Sequence, residues 1–262
     1  MRFLILAHAG DATAALVTAR LLQRHHPEDT RLVLLEEIVS APRWAHTLNG
    51  AGADTILTLR DGTEIRSDQI GIVFNRLQYV DMPHFALSES ADREYAVMEM
   101  FALLVSWLKA LPCKIVNRLS SQNLAGPIHS SLAWQRFAGK AELPTARIRL
   151  TSSLRRYSAS DLIPYPVGPS TIGNVPAWMN EPLGQQRAWA FVAGEQVLGD
   201  VSPQLKSGCL RLAALSGFEI LLINFASAST NWDWKFNGAD PCPAVTHGPM
   251  IDAIVTLLEA QS

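Results

Sequence analysis

The apolar positions along this chain change period several times, and each change marks an element. Arg2 to Ala7 reads RFLILA, a short uninterrupted apolar run of the kind a fully buried strand presents. Gly10 and Asp11 make a turn, and from Ala12 to Leu22 the apolar residues recur at three and four, the spacing of one helix face. Arg31 to Val39, RLVLLEEIV, reads as the next strand, and a strand–helix–strand opening predicts a parallel α/β sheet. Thr55 to Arg66 alternates on both sides of Asp61-Gly62, which predicts a hairpin. Ile70 to Phe74 is another buried strand. Ser88 to Leu111 is the longest helical pattern, opened by serine and acidic residues and stopped by Pro112, and Lys114 to Asn117 is the strand it feeds. Residues 1–120 thus predict a small open sheet flanked by helices.

A second unit, 121–262, starts with different signals. Gly126 to Gly139 predicts a helix with Pro127 in its first turn. Ala146 to Leu150 alternates as a strand. The stretch 154–186 carries Pro164, Pro166, Pro169, Pro176 and Pro182 among several glycines, the composition of an extended, irregular connection. Arg187 to Val201 alternates around Ala193-Gly194-Glu195, a second hairpin. A helix is predicted through Cys209 to Leu215, a buried strand over Phe218 to Phe225, and a terminal amphipathic helix over Pro249 to Ala260. Between the last two lies NWDWKFNGADPCP, Asn231 to Pro243. Its alternation of Trp232, Trp234 and Phe236 against Asp233, Lys235 and Asn237 is a strand with one aromatic and one polar face.

Composition narrows the function classes. A 48% hydrophobic share over 262 residues is ample for a core, and a formal charge of −2 gives no reason to expect a nucleic-acid partner. Three widely spaced cysteines, Cys113, Cys209 and Cys242, form no Cys-x-x-Cys pair, so no zinc site is expected. The opening apolar run is too short for a signal sequence, and no stretch approaches the length of a membrane span. A cytoplasmic protein with reduced thiols is the expectation.

Several residues invite a chemical reading beside a structural one. His8, Gly10 and Asp11 lie where a first strand meets its helix, a place where backbone N–H groups accept anions, yet Asp11 also serves as a plain helix cap. Arg76 follows a buried strand, where it would bind a carboxylate or pair with the helix start at Asp92–Glu94. His129-Ser130-Ser131 lacks a nucleophile elbow and reads as ordinary helix. Trp178 and Met179 either staple the proline-rich stretch to the body or mark a partner surface.

In order and spacing the pieces resemble the ATP-grasp proteins, of the branch that holds RimK-like ligases and the ligases of ribosomally made peptides. The residues that carry the resemblance are Asp92-Arg93-Glu94-Tyr95, then Leu111-Pro112-Cys113 with Ile115-Val116-Asn117, as in the family's pre-ATP-grasp domain. Ala141-Glu142-Leu143-Pro144-Thr145 resembles its "GLPVPRT" passage. Arg187 to Val192, Cys209 to Ala214, Ile223-Asn224-Phe225 and Lys235-Phe236-Asn237 follow in the family's sequence. Arg76 matches an arginine of the pre-ATP-grasp domain. The implied fold is α/β: an N-terminal open, pre-ATP-grasp-like sheet, then a truncated ATP-grasp-like α+β unit.

The departures say more. In the family, a carboxylate from the first of these strands and a glutamate and asparagine from the second hold the metal ions that bind ATP. Here those places carry Asn224, Lys235 and Asn237, a neutral amide and a cation where magnesium needs anionic oxygen. The family also inserts a small lid subdomain with phosphate-gripping lysines, whereas no lysine occurs between Lys140 and Lys206 here.

The resemblance therefore implies a homologue without catalytic residues, metal or required cofactor. It would act as a binding or scaffold partner in ribosomal-peptide or natural-product modification. The partners it implies are a second copy or an intact ATP-grasp ligase, and a peptide. The remnant cleft would be formed by Arg187, Asn224, Lys235 and Asn237, with Arg76. The alternative is an active ATP-dependent carboxylate–amine ligase with an unusual ATP/Mg site, its ligands drawn from Asp233, Asp240 or Glu219.

Overall fold

A computed structural model describes residues 1–49, 52–82, 85–121, 123–146, 148–150, 163–164, 177–179, 186–227 and 233–262. In chain order the first elements are β1 (Phe3–Ala7), α1 (Ala12–Arg24), β2 (Thr30–Leu34), α2 (Leu35–Val39), β3 (Arg43–Asn49), β4 (Gly52–Thr58), β5 (Glu64–Arg66), β6 (Ile72–Asn75), α3 (Ser90–Ala110) and β7 (Lys114–Val116). There follow α4 (Ser131–Lys140), β8 (Ile148–Leu150), β9 (Ile163–Pro164), β10 (Ala177–Met179), β11 (Gln186–Ala193), β12 (Gln196–Leu198), α5 (Pro203–Ser216), β13 (Ile220–Ser227), β14 (Lys235–Asp240) and α6 (Gly248–Gln261). Two units result: Met1–Pro127 together with Ala244–Ser262, and Ile128–Pro243.

In the first unit, β1 is apolar and buried at every position, and it accordingly sits inside a sheet of order β2-β1-β6-β7. All three pairings are parallel. A second, antiparallel sheet, β3-β4-β5, contains the Asp61-Gly62 hairpin that the sequence predicts. Leu57, Leu59 and Ile65 from it join Leu4, Leu6, Val73, Trp107 and Leu108 in one core. Each such side chain, fully buried, contributes roughly 1.5–3 kcal/mol.

Three expectations for this unit change. RLVLLEEIV is not one strand: it breaks after Leu34 into α2, because Glu37 turns back to accept the Leu34 backbone N–H at 2.8 Å. Two glutamates in a first turn favour a helix start over a strand continuation. Arg43–Asn49 is a strand that the sequence reading passed over. Lastly, α6 does not belong with residues 121–243. It packs on α1, where Arg20 and Arg24 both reach Asp252, at 2.7 and 2.8 Å.

The second unit is built on the antiparallel sheet β12-β11-β13-β14. One face, carrying Ala190, Val192, Leu221, Ile223, Phe225 and Phe236, packs with α4 and α5 residues such as Trp134, Leu205, Cys209 and Leu212. Helix α4 starts later than the glycine and proline at 126–127 predict, because the Ser130 hydroxyl accepts the Ala133 N–H and so caps it. Ser202 caps α5 in the same way, two turns ahead of the predicted start. Strands β9 and β10 lie inside the proline-rich stretch read as irregular, and they form a small antiparallel sheet of order β8-β10-β9. Pro164 is tolerated there because β9 is an edge strand.

Candidate functional site

Four of the five residues predicted to form the cleft, Arg187, Asn224, Lys235 and Asn237, fall on one sheet of the second unit. Register pairs Arg187 with Ala226, and Ala226 with Lys235, in a row across β11, β13 and β14. Trp189, Asn224 and Gly238 form the next row. Facing positions in register share a sheet face, so Arg187, Asn224 and Lys235 lie on the face opposite the core. With neighbouring strands about 4.8 Å apart, the Arg187 and Lys235 backbones stand roughly 10 Å from one another.

Asn237 is placed by a different device. Phe225 pairs with Phe236 but Asn224 pairs with Gly238, so Asn237 is the extra residue of a β-bulge. Bulges re-aim side chains out of strict alternation. Gly238 takes the strain of it, with φ 153°, a value that L side chains rarely adopt. The predicted alternation therefore holds for Lys235 and Phe236 and is broken at Asn237. Phe236 is fully buried, and its N–H donates to the Pro144 carbonyl at 2.7 Å. Lys235, Asn224 and Asn237 are half-buried, so Lys235 is not a fully solvated edge residue. Trp232 lies outside the described residues, as do the side chains of Trp178 and Met179.

Beside this strand opens a cavity of about 600 Å³, lined among others by Pro144, Leu205, Trp234, Glu142, Asp200 and Asp233. Nothing in the periodicity of the chain brings Glu142, Asp200 and Ser202 together as a group. Only the Ser202-Pro203 pair, a helix-start signal, pointed to this place. Glu142 is committed to a salt bridge with Arg211 at 2.9 Å.

Arg76 lies in the first unit. Its Nε donates to Asp11 Oδ2 at 2.7 Å, in place of the Asp92–Glu94 helix start. Asp11 Oδ1 accepts the Ala14 N–H, which is the capping role expected of it. Burial lowers the His8 pKa, against the raising influence of Glu36, Asp11 and Asp81. Ser130 is a cap and His129 precedes the helix, where its ring packs edge-on against Trp134 and Phe137. Burial pushes the Cys209 thiol up to about 12, so it is inert at neutral pH.

The donor set that Asn224 on β13 and Lys235 and Asn237 on β14 offer does not fit a magnesium–nucleotide complex. Asn224 and Asn237 offer neutral amide oxygens and Lys235 a positive charge, where the ion demands anionic oxygen. Among the described residues no group of three or more His, Cys, Asp and Glu comes together as a metal site.

No family model matches the chain, and no curated protein matches it. Solved structures do. The macrocyclase MdnC, bound with precursor peptide MdnA from Microcystis aeruginosa MRC, superposes with a TM-score of 0.76 at 12% identity, over 99% of this chain and 100% of its own. A Chryseobacterium gregarium RiPP-associated ATP-grasp ligase, in complex with ADP and a leader and core peptide, gives 0.75 at 11% identity, over 100% and 98%. The chain shares the ATP-grasp fold. A RimK domain ATP-grasp protein from Sphaerobacter thermophilus matches over 100% of this chain and 99% of its own, with a TM-score of 0.53 and 12% identity. At these identities the ATP-grasp likeness is one of fold. No helix among the described residues is long and apolar enough to cross a membrane.

Proposed function

We propose that this ATP-grasp-fold protein binds a ribosomally made peptide as a non-catalytic partner in its modification. The observation that carries the reading is the placement of Lys235 and Asn224 on the same half-buried sheet face. A cation there repels the magnesium ion that ATP-dependent ligation requires. Solved structures of the same fold hold precursor, leader or core peptides, which supports a peptide as the ligand class. The cavity beside Trp234 supports it too: a lining that combines apolar Pro144 and Leu205 with acidic Asp200 and Asp233 suits a peptide with a basic side chain.

The long helix α3 supports assembly with a second copy or with an intact ligase. Its first turns expose Tyr95 (67%) and Met98 (70%), and both are large enough to anchor an interface. Light scattering across a dilution series would detect that assembly.

The deciding experiment is calorimetric titration with ATP and ADP, each with and without Mg²⁺. No heat at nucleotide concentrations of about 10² µM, together with capture of a precursor peptide, is the expected result. Tight magnesium-dependent binding would overturn the reading in favour of an active carboxylate–amine ligase.

A further inference from the structure

Between Glu99 and Glu142 the chain carries no acidic residue, while Lys109, Lys114 and Arg118 fall inside that stretch. The fold gathers part of this one-signed segment around a pocket. Helix α3 ends at Ala110, Pro112 stops it, and β7 runs from Lys114 to Val116 at the edge of the parallel sheet. Asn117 then takes a left-handed backbone, φ 62°, and Arg118 follows it. Lys109 before β7 and Arg118 after it both come to line a pocket of about 300 Å³.

Most of the remaining lining is aliphatic: Leu108, Leu111, Ile115 and Leu119. The first three are buried members of the first unit's core, and Leu119 packs against it. Lys109 and Arg118 are exposed, so solutes reach the charged side of the pocket from solvent. Cys113 also lines it, and burial raises its thiol pKa, so it brings no negative charge at neutral pH.

Charges that oppose an anion are few. The last carbonyls of α3 amount to about half a negative charge, against two full positive ones. Glu99 stands ten residues up the helix from Lys109, roughly 15 Å along its axis. Asp68, the acid that precedes β6, is tied to Arg66 at 3.5 Å. Among the described residues that line the pocket, none is acidic.

We propose that this pocket binds a small aliphatic carboxylate, its charged end held by Arg118 and Lys109 and its chain laid against Leu108, Leu111, Ile115 and Leu119. The planar fork of an arginine matches a carboxylate through two bonds, and the lysine adds a point charge. A volume of about 300 Å³ is the room of roughly ten water molecules, so the ligand has about eight to ten non-hydrogen atoms. Two sources offer this chemistry: a free short-chain acid, and the C-terminal carboxylate of a peptide that ends in an aliphatic residue. The proposal does not rest on the nucleotide question, since all its residues belong to the first unit.

The test is a titration of the full chain with hexanoate, with N-acetyl-leucine as the mimic of a peptide end, with neutral hexanamide and with inorganic phosphate. Methyl signals of Leu108, Leu111, Ile115 and Leu119 report the site. Hexanoate is expected to move them along one saturable curve with a midpoint near ~1 mM, the affinity that about eight non-hydrogen atoms support. It should also slow the labelling of Cys113 by a thiol reagent. Hexanamide should bind at least ~10-fold more weakly. Lys109→Gln with Arg118→Gln removes two exposed charges and leaves the core intact, and it should weaken hexanoate binding by at least ~10-fold. Whichever of hexanoate and N-acetyl-leucine binds more tightly names the source, and either order supports the site. Equal binding of hexanoate and hexanamide would overturn the proposal, as would shifts that never saturate or that persist in the double variant. Phosphate binding as tightly as hexanoate would overturn it too, because the aliphatic lining would then contribute nothing.

Discussion

The Thr13 hydroxyl is held twice by a single residue, Val245: it donates to the Val245 carbonyl at 3.0 Å and accepts the Val245 N–H at 2.7 Å. Both groups are buried, and 232 positions of sequence separate them. Thr13→Val keeps the shape and leaves two buried backbone groups unpaired, so it should cost about 1–3 kcal/mol. Urea unfolding measures that loss, and hydrogen exchange should speed up first along residues 244–261. A variant that unfolds like the parent would show that this contact contributes nothing.

His8 gives the first unit a pH dependence of definite sign. Burial favours its neutral form, so the unfolded chain binds the proton at higher pH than the folded one. Stability should therefore fall as pH drops through the ordinary histidine value of 6.5, and level off below the folded value. The ring also accepts the Gln78 N–H at 3.0 Å, a bond that protonation removes. Comparing unfolding of the parent and His8→Gln between pH ~5 and ~8 isolates the contribution. Parallel curves would rule it out.

If Lys235 and Asn224 are what keeps magnesium away, restoring carboxylates should bring it back. Asn224→Asp with Lys235→Glu is expected to bind ADP at least ~10-fold more tightly in Mg²⁺ than without it. The parent should show no such difference. Equal behaviour of the two proteins would mean that these positions do not govern the metal.

Two glycines with positive φ should respond differently to alanine. At Gly199 a Cβ would stand 2.4 Å from the Trp189 carbonyl oxygen and 3.1 Å from the Ala190 Cα, against backbone that cannot yield. Gly199→Ala should cost about 3 kcal/mol, from strain and overpacking together. At Gly62 nothing lies within 4 Å, so Gly62→Ala should lose only about 1 kcal/mol, for the left-handed backbone. Thermal melts of the two variants rank them, and the reverse order would contradict the geometry.

Cys209 should stay unreactive toward a thiol reagent until the second unit unfolds, since burial suppresses its thiolate. Labelling in native buffer and in denaturant, followed by peptide mapping, checks this.

Wherever periodicity and a stop signal agreed, the sequence was readable. Ser88 to Leu111 with Pro112 became α3, and Asp61-Gly62 became a turn between β4 and β5. Local chemistry that competes with periodicity was harder to read. The side chain of Glu37 ended a strand that its apolar pattern would have continued. Chain order offered no hint that α6 belongs with α1, because the partnership joins residues as far apart as Arg20 and Asp252, 232 positions from one another. In the candidate site, Lys235 and Asn224 were visible because an alternating strand fixes faces. The bulge at Asn237 was not, since register is a property of two strands and not of one. Arg76 was visible as a residue, but its Asp11 partner was not.

Because α6 follows the second unit in sequence and packs in the first, the order of synthesis and the order of completion are opposed. A ribosome delivers all of residues 128–243 before the helix that closes the first unit exists. The unit begun earlier must wait, with the α1 surface that will receive Asp252 still uncovered, while residues 128–243 are made. During that interval the growing chain carries a first unit that still lacks its final helix.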